Sequence, residues 1–250
     1  MVDKDKALVP APPSSLMERP DWLKGKTDNR GSENIRPEDL LLPRIKIGQT
    51  LSHELDEDHS AYIEGLKLGY FYNTLTRQNY GPEIEFTVIR AERPRGVEFF
   101  PLEDGGGVKD LSVPLDDPRM EFTTDEETGK VVKPIATIFY DYVVLLLPAK
   151  EPAQLSLKSS AINCAKNLNS LIRIRGTASF TGRYRLVTET KSGKVGKYAV
   201  PSVQNLGWVT EEEAAFAESL YGSIASKKLV VEAEQDDDEV SETTTKNVPF

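Results

Sequence analysis

The chain has 250 residues, of which 38% are hydrophobic and 28% are charged, and this length is sufficient to bury the core of one large domain. No apolar run approaches the roughly 18 residues of a membrane span, and the N-terminus lacks the basic and apolar regions of a secretory signal. With one cysteine and two histidines, an internal disulfide is excluded and a zinc site is disfavoured. We therefore expect a cytoplasmic protein without metal or cofactor.

The net charge of −9 is distributed unevenly along the chain. Residues 133–210 carry 11 basic and 3 acidic side chains, a net charge of +8, whereas residues 232–250 have a net charge of −6. A basic segment inside an acidic chain is typical of a protein that binds nucleic acid and carries a separate acidic end.

The first half of the chain begins with a segment that does not predict folded structure. Residues 1–35 are rich in Pro, Ser, Asp, Lys and Gly and predict a disordered arm, followed by one domain over residues 36–226. Within that domain, Ile84, Phe86 and Val88 alternate with polar residues and predict a half-buried strand. Residues 103–132 are polar and Gly-rich and predict a loop insertion that ends in a hairpin at Thr128-Gly129.

The second half predicts alternating strands and helices. In chain order these are a strand over residues 135–147, a helix over residues 159–173, hairpin strands over residues 179–189 and 195–200, and a helix over residues 210–223. Ser159 or Ser160 is expected to cap the first helix. The second helix starts with a Thr210/Glu213 capping box and is expected to turn Ala215, Phe216 and Leu220 toward the core. The pattern predicts an α+β protein, mainly β: an OB-like Greek-key barrel with added helices and disordered terminal tails.

Two features of the basic segment predict contacts to single-stranded DNA. Arg183 and Arg185 project from one face of a strand about 6.5–7 Å apart, and the segment holds few acids to pair with them. Tyrosines at i, i+2 spacing, such as Tyr70 with Tyr72, offer rings on which bases can stack, although a core position is an equally good interpretation. The candidate DNA contacts are Tyr70, Tyr72, Arg77, Tyr140, Tyr142, Lys158, Lys166, Arg173, Arg175, Arg183, Arg185, Lys191, Lys194, Lys197 and Tyr198.

The C-terminal segment is acidic and ends in Pro249-Phe250. Residues 227–250 cannot bury enough apolar surface to fold alone, and a terminal phenyl ring beside an α-carboxylate suits a basic-rimmed apolar pocket on another protein. The residues assigned to partner binding are Asp236, Asp237, Asp238, Glu239, Pro249 and Phe250.

This tail is similar to the acidic, Pro-Phe-terminated tails of bacterial and phage single-stranded DNA-binding proteins. The resemblance implies that the tail recruits replication and recombination proteins and competes with DNA for the basic surface; here, however, residues 243–248 separate the acids from Pro-Phe. Residues 41–47 (LLPRIKI) and 69–75 (GYFYNTL) also resemble proteins encoded in phage replication and recombination modules. A homodimer is left open.

Two other classes of function are left open. Asp141 followed by Glu189-x-Lys191 weakly resembles the residue pattern of metal-dependent nucleases, in which two carboxylates hold a divalent ion. A phage structural or scaffolding protein is the third class, and it would require apolar interface patches. Because no P-loop, nucleophile elbow or Cys–His pair is present, we expect a binding protein and not an enzyme.

Overall fold

A computed structural model describes residues 42–101, 106–147, 149–193 and 196–225. The predicted N-terminal arm and the acidic tail lie outside these residues. Within them the chain forms a mainly β structure with two α-helices, which confirms the predicted α+β class. No helix in these ranges combines the length and the hydropathy needed to cross a membrane.

The described residues contain the following elements. The strands are β1 (Arg44–Ile47), β2 (Phe71–Asn73), β3 (Asn79–Gly81), β4 (Glu83–Ala91), β5 (Arg95–Phe99), β6 (Val108–Val113), β7 (Thr123–Thr124), β8 (Val131–Val132), β9 (Ala136–Leu147), β10 (Glu151–Lys158), β11 (Gly182–Ser192) and β12 (Lys197–Trp208), and the helices are α1 (Ile162–Arg175) and α2 (Glu211–Ala225).

Most strands belong to one curled sheet with the order β12-β11-β4-β9-β10-β1-β2-β3. Neighbouring strands pair antiparallel except β1 and β10, which are parallel. The long strand β9 pairs with β4 along its C-terminal half and with β5 along its N-terminal half, and β6 adds to β5. The insertion predicted as a loop over residues 103–132 therefore contributes a strand of the main sheet and also, as predicted, a small hairpin, β7–β8.

Strand β9 is apolar at consecutive positions because both of its faces are covered. Tyr142, Val144 and Leu146 face a core that includes α1, whereas Val143, Leu145 and Leu147 face a second core that includes α2. Strand β10 was not predicted, but its Ala153, Leu155 and Leu157 alternate toward the α1 core. The two helices thus lie on opposite faces of the same sheet.

Strand β11 pairs with β4 only through Tyr184–Val187, and the rest of the β11–β12 hairpin extends past β4. The segment between β1 and β2 contacts this extended part. The Gln49 side chain donates to and accepts from the backbone of Ala199, both at 2.9 Å. Thr188 donates to the carbonyl of Gly69 at 2.8 Å. A Cβ at Gly69 would lie 2.6 Å from the Thr188 hydroxyl oxygen, and its φ is +85°, so this close approach requires glycine.

The two helices differ in how well their starts were predicted. The capping box of α2 is confirmed: Thr210 N–H donates to Glu213 at 2.8 Å, and Glu213 N–H donates to the Thr210 hydroxyl at 3.2 Å. The predicted serine cap of α1 is wrong, because Ser159 and Ser160 belong to a 3-10 turn and the cap position is Ala161.

The predicted inward face of α2 is also partly wrong. Ala217 is buried at the core and Leu220 packs against it, whereas Ala215 and Phe216 are exposed. Phe216 instead lies under the Lys150 ammonium, 5.8 Å from the ring centroid. Helical periodicity places positions four apart on one face. Because Glu213 and Ala217 form the buried face of α2, Ala215 and Phe216 are turned outward.

Candidate nucleic-acid interface

Helix α1 runs along strand β12. Near its N-terminal half, Ser160, Asn163 and Asn167 line a cavity of about 170 Å³ together with Lys191 and residues 200–202. At its C-terminal end, Arg175 donates to Asn205 Oδ1 at 2.5 Å and to the Gly207 carbonyl. Since a helix of 14 residues is about 21 Å long, helix and strand form one continuous surface of that length.

This surface carries more basic than acidic side chains, and Glu189 on β11 is the acid that lines the cavity beside α1. Neither α1 nor β12 contains an acidic residue. Lys166 and Arg173 are exposed and, seven residues apart, lie on the same face of α1. Lys191 and Lys197 are exposed at the end of the β11–β12 hairpin, on its two opposite faces, because Lys191 pairs with Tyr198 and Lys197 pairs with Ser192. None of the ion pairs among the described residues involves these four side chains. We call Lys166, Arg173, Lys191 and Lys197 the basic track.

Arg183 and Arg185, in contrast, are neutralised, and the expectation that few acids would pair with them is wrong. Arg183 donates to Glu85 at 2.9 Å and also contacts Glu213 at 3.4 Å. Arg185 contacts the other Glu85 oxygen at 2.5 Å, and this hydrogen bond is the largest cause that lowers the pKa of Glu85. The acids come from β4 and α2, so the composition of the basic segment could not reveal them.

The tyrosine pairs do not form exposed stacking surfaces. Tyr72 and Tyr142 are each only 2% exposed, so their predicted role as solvent-facing rings is wrong. The Tyr142 hydroxyl donates to Asn169 at 2.8 Å, and burial raises its pKa. Tyr70, Tyr140 and Tyr198 are half-buried.

Three further basic side chains that were predicted to contact DNA lie away from the basic track or interact with neighbouring residues. Lys158 lies over Phe139, 5.0 Å from the ring centroid, on the sheet face opposite α1. Arg77, in the turn between β2 and β3, donates to the Ser60 carbonyl at 3.1 Å. Arg175 is held by β12, as described above. Lys194, Asp236, Asp237, Asp238, Glu239, Pro249 and Phe250 lie outside the described residues.

An exposed tryptophan that the sequence analysis did not single out lies at the end of β12. Trp208 is 60% exposed, and the Arg175 guanidinium carbon lies 4.5 Å from its ring centroid. The one available signal was the rarity of tryptophan, since the chain contains only two.

The acids of the nuclease-like pattern are engaged separately. Asp141 is buried and accepts hydrogen bonds from Arg95 at 3.0 Å and from Ser156 at 2.6 Å. Glu189 is exposed on β11 and lines the cavity beside α1. Within the part of the chain that the structure describes, no group of three or more His, Cys, Asp or Glu side chains is arranged to hold a metal ion.

Comparisons with known proteins place the chain in a family. A family model described as Pam3 phage gp34-like protein matches residues 11–230, which include every strand and both helices described above. Searches of curated proteins and of solved structures each found no match. The chain therefore belongs to the Pam3 phage gp34-like protein family, and of the phage and bacterial proteins that its sequence resembles, this match indicates a phage protein.

Proposed function

We propose that this protein binds single-stranded DNA without sequence preference during phage DNA replication, recombination or repair, as a binding protein and not as an enzyme. The observation that carries the proposal is the basic track: four exposed cations on α1, β11 and β12, against one acidic residue in these three elements, Glu189. An unpaired basic groove that follows the backbone is the electrostatic requirement for sequence-independent binding of single strands.

The order of the strands supports an OB-type assignment. Strands β4, β9 and β10 form a meander, α1 follows, and the β11–β12 hairpin returns so that β11 pairs with the free edge of β4. A five-stranded Greek-key barrel of the OB type has this connectivity, and such barrels bind oligonucleotides near the loops after the first and fourth strands. The loop after the fourth strand is here the β11–β12 turn, which lies beside Lys191 and Lys197, and this is the loop that we assign to DNA binding.

The experiment is a fluorescence anisotropy titration of a labelled oligo(dT), repeated with duplex DNA and across a salt series. The Lys166→Ala/Arg173→Ala variant should bind the single strand more weakly, and the slope of log K against log salt should become shallower by about 1.4, or about 0.7 for each lost phosphate contact. Both side chains are exposed, so the variant should retain its fold.

A matched control removes the same charge elsewhere. Arg93 and Lys130 are also exposed but lie outside the basic track, and the Arg93→Ala/Lys130→Ala variant should retain the wild-type slope. Equal effects of the two variants would mean that only the overall charge matters, and a wild-type protein that binds duplex as tightly as single strand would contradict the proposal. Adding Mg²⁺ or Mn²⁺ to the same samples tests the nuclease alternative, because cleavage would produce shorter labelled strands.

We further propose that the acidic tail recruits replication or recombination proteins through Pro249 and Phe250. The support is chemical: a phenyl ring and an α-carboxylate at the end of an acidic segment suit a basic-rimmed apolar pocket. Removing only Pro249 and Phe250 should abolish capture of such a partner and leave DNA affinity unchanged, because all seven acids of residues 232–250 remain.

One observation favours the structural or scaffolding alternative. The insertion between β4 and β9 exposes several large apolar side chains, as expected of a protein-contact surface. These are Phe100, Leu111, Leu115, Phe122, Val131 and Ile135. If the protein assembles into large oligomers in sedimentation velocity and does not bind oligo(dT), this alternative replaces DNA binding; a homodimer that binds oligo(dT) would be compatible with the proposed function.

A further inference from the structure

The bulge in strand β12 determines where Trp208 points. Arg183 pairs with Gly207 and Tyr184 with Asn205, so Leu206 is an extra residue, and Gly207 has a φ of +96°. Because side chains alternate along a strand, this extra residue moves Trp208 to the face that carries Tyr184, which is the face covered by α1. Bulges commonly re-aim a side chain in this way at functional sites.

One face of the Trp208 indole is covered and the other is open. The Arg175 guanidinium carbon lies 4.5 Å from the Trp208 ring centroid and 5.3 Å from that of Tyr184. An exposed fraction of 60% then requires that the opposite face of the indole be largely open to solvent. An arginine over a tryptophan face is a favourable cation–π contact.

Arg175 is held in place, so the indole has a fixed support. Its guanidinium donates to the Asn205 side chain and to the Gly207 carbonyl, both in the bulged part of β12. Both the arginine and the tryptophan are thereby positioned by the same backbone irregularity. A ring held in this way loses little conformational entropy when a ligand stacks on it.

The charges around the indole point to the class of ligand. Arg173, a member of the basic track, lies two residues before Arg175 in the last turn of α1. Residues two apart on a helix do not face each other, so the cation at the indole is Arg175 itself. A cation over an open aromatic face is the combination by which proteins hold the phosphates and the bases of single strands.

We propose that Trp208, supported by Arg175, is the platform on which one base of the bound single strand stacks. The inference rests on the proposed function, because it specifies how the DNA is held at one end of the basic track. The base covers the open face of the indole, opposite the face that Arg175 covers.

Tryptophan fluorescence gives a direct test. The chain contains two tryptophans, Trp22 and Trp208, so the Trp22→Phe variant leaves Trp208 as the only emitter. Oligo(dT) should quench this emission and reach saturation at the DNA concentration at which anisotropy of labelled oligo(dT) saturates. Binding in the anisotropy assay without quenching would overturn the stacking proposal and leave the proposed function intact, whereas no binding in either assay would overturn the proposed function.

Substitution and a matched ligand separate stacking from charge. Trp208→Ala should weaken binding of oligo(dT) about 5- to 150-fold, and Trp208→Phe should weaken it by much less, because base–aromatic stacking is the interaction removed. An abasic strand of the same length keeps the phosphates, so its affinity should be the same for the wild-type protein and for Trp208→Ala. Equal losses for both strands would overturn the proposal.

A control variant tests whether any exposed ring would have the same effect. Phe122 is 69% exposed in the insertion, away from α1 and β12. Phe122→Ala should leave affinity for oligo(dT) unchanged, and a loss equal to that of Trp208→Ala would contradict a specific platform. Because Trp208 is mostly exposed, circular dichroism should show the native fold in both variants.

Discussion

Buried tyrosine hydroxyls stabilise the core between the sheet and α1. Tyr142 is almost completely buried, and its hydroxyl donates to Asn169 at 2.8 Å and to the Ala165 carbonyl at 3.3 Å. Tyr142→Phe should lower the free energy of unfolding by about 0.5–1.5 kcal/mol, because a buried hydrogen bond is lost. Tyr142→Ala should lower it by about 3–5 kcal/mol, because a large cavity remains.

Urea denaturation followed by circular dichroism measures both effects. Tyr140, two residues away on the same strand face, is half-buried, and no hydrogen bond of its hydroxyl is found among the described residues. Tyr140→Phe should therefore leave stability within about 0.5 kcal/mol of the wild type, as is usual for changes that break no buried interaction. A Tyr142→Ala protein with normal stability and weakened DNA binding would assign the ring to the interface instead.

Glu98 predicts a pH dependence of stability. This buried carboxylate accepts hydrogen bonds from Lys109 at 2.5 Å and from Arg119 at 2.7 Å, and these bonds, first that from Lys109, lower its pKa below 4.5. A carboxylate whose pKa is lower in the folded than in the unfolded state stabilises the fold above the unfolded value, and this contribution is lost as the pH falls through the folded value.

Glu98→Gln should therefore destabilise the protein at pH 7, and the difference from the wild type should shrink as the pH falls below 4.5. The measurement is the urea midpoint at several pH values between 7 and 3. Glu126→Gln serves as the control, because Glu126 is exposed in the β7–β8 turn and makes no hydrogen bond through its side chain among the described residues. A difference between Glu98→Gln and the wild type that does not change with pH would contradict the ionic role of Glu98.

At the scale of elements, the insertion between β4 and β9 is packed onto the sheet through a glycine. A Cβ at Gly96 in β5 would lie 2.9 Å from the Val113 Cβ and would collide with the Met120 sulfur. The neighbouring strand β6 and the turn at Pro118–Met120 can therefore approach β5 closely. This contact joins β6 and the turn at Pro118–Met120 to β5, which in turn pairs with β9.

Gly96→Ala should loosen this contact and cost about 1–3 kcal/mol of stability, as overpacking usually does. Hydrogen exchange should show faster exchange of the β5 and β6 amides than of the β9–β10 amides. Gly222→Ala in α2 is a matched control, because nothing lies within 4 Å of the added Cβ, and it should stabilise the protein by about 0.5–1 kcal/mol. Equal exchange in both variants would mean that the insertion does not depend on the close packing at Gly96.

At the scale of the whole molecule, charge is separated between the basic track and the acidic tail. Residues 232–250 carry a net charge of −6, and a segment tethered by a short flexible linker reaches an effective concentration in the millimolar range. We therefore expect residues 232–250 to compete with DNA for exposed cations, and this competition should be screened over about 8 Å at physiological salt.

Deletion of residues 232–250 should therefore tighten binding of oligo(dT), most clearly at low salt. Anisotropy titrations at low and at physiological salt measure the change, and neutral substitution of the seven acids, at constant tail length, should reproduce it. If deletion leaves the affinity unchanged at low salt, the tail does not compete with DNA for the basic track.

The amino-acid sequence by itself determined the local structure and the location of the basic segment. Alternation predicted β4, continuous apolar residues predicted β9, and the Thr210/Glu213 pair predicted the start of α2, because each signal depends only on residues close in sequence. Strand β10 was missed because its alternation is short and lies between a proline and a helix.

Only the tertiary structure decided which charged and aromatic residues are available to a ligand. Arg185 is neutralised by Glu85, which lies 100 residues away in sequence, because β11 pairs with β4. Tyr142 is buried because α1 covers its face of the sheet, and Trp208 is turned toward Arg175 by one extra residue in β12. Burial and ion pairing depend on the residues that the fold brings together, so no pattern within a single segment could have predicted them.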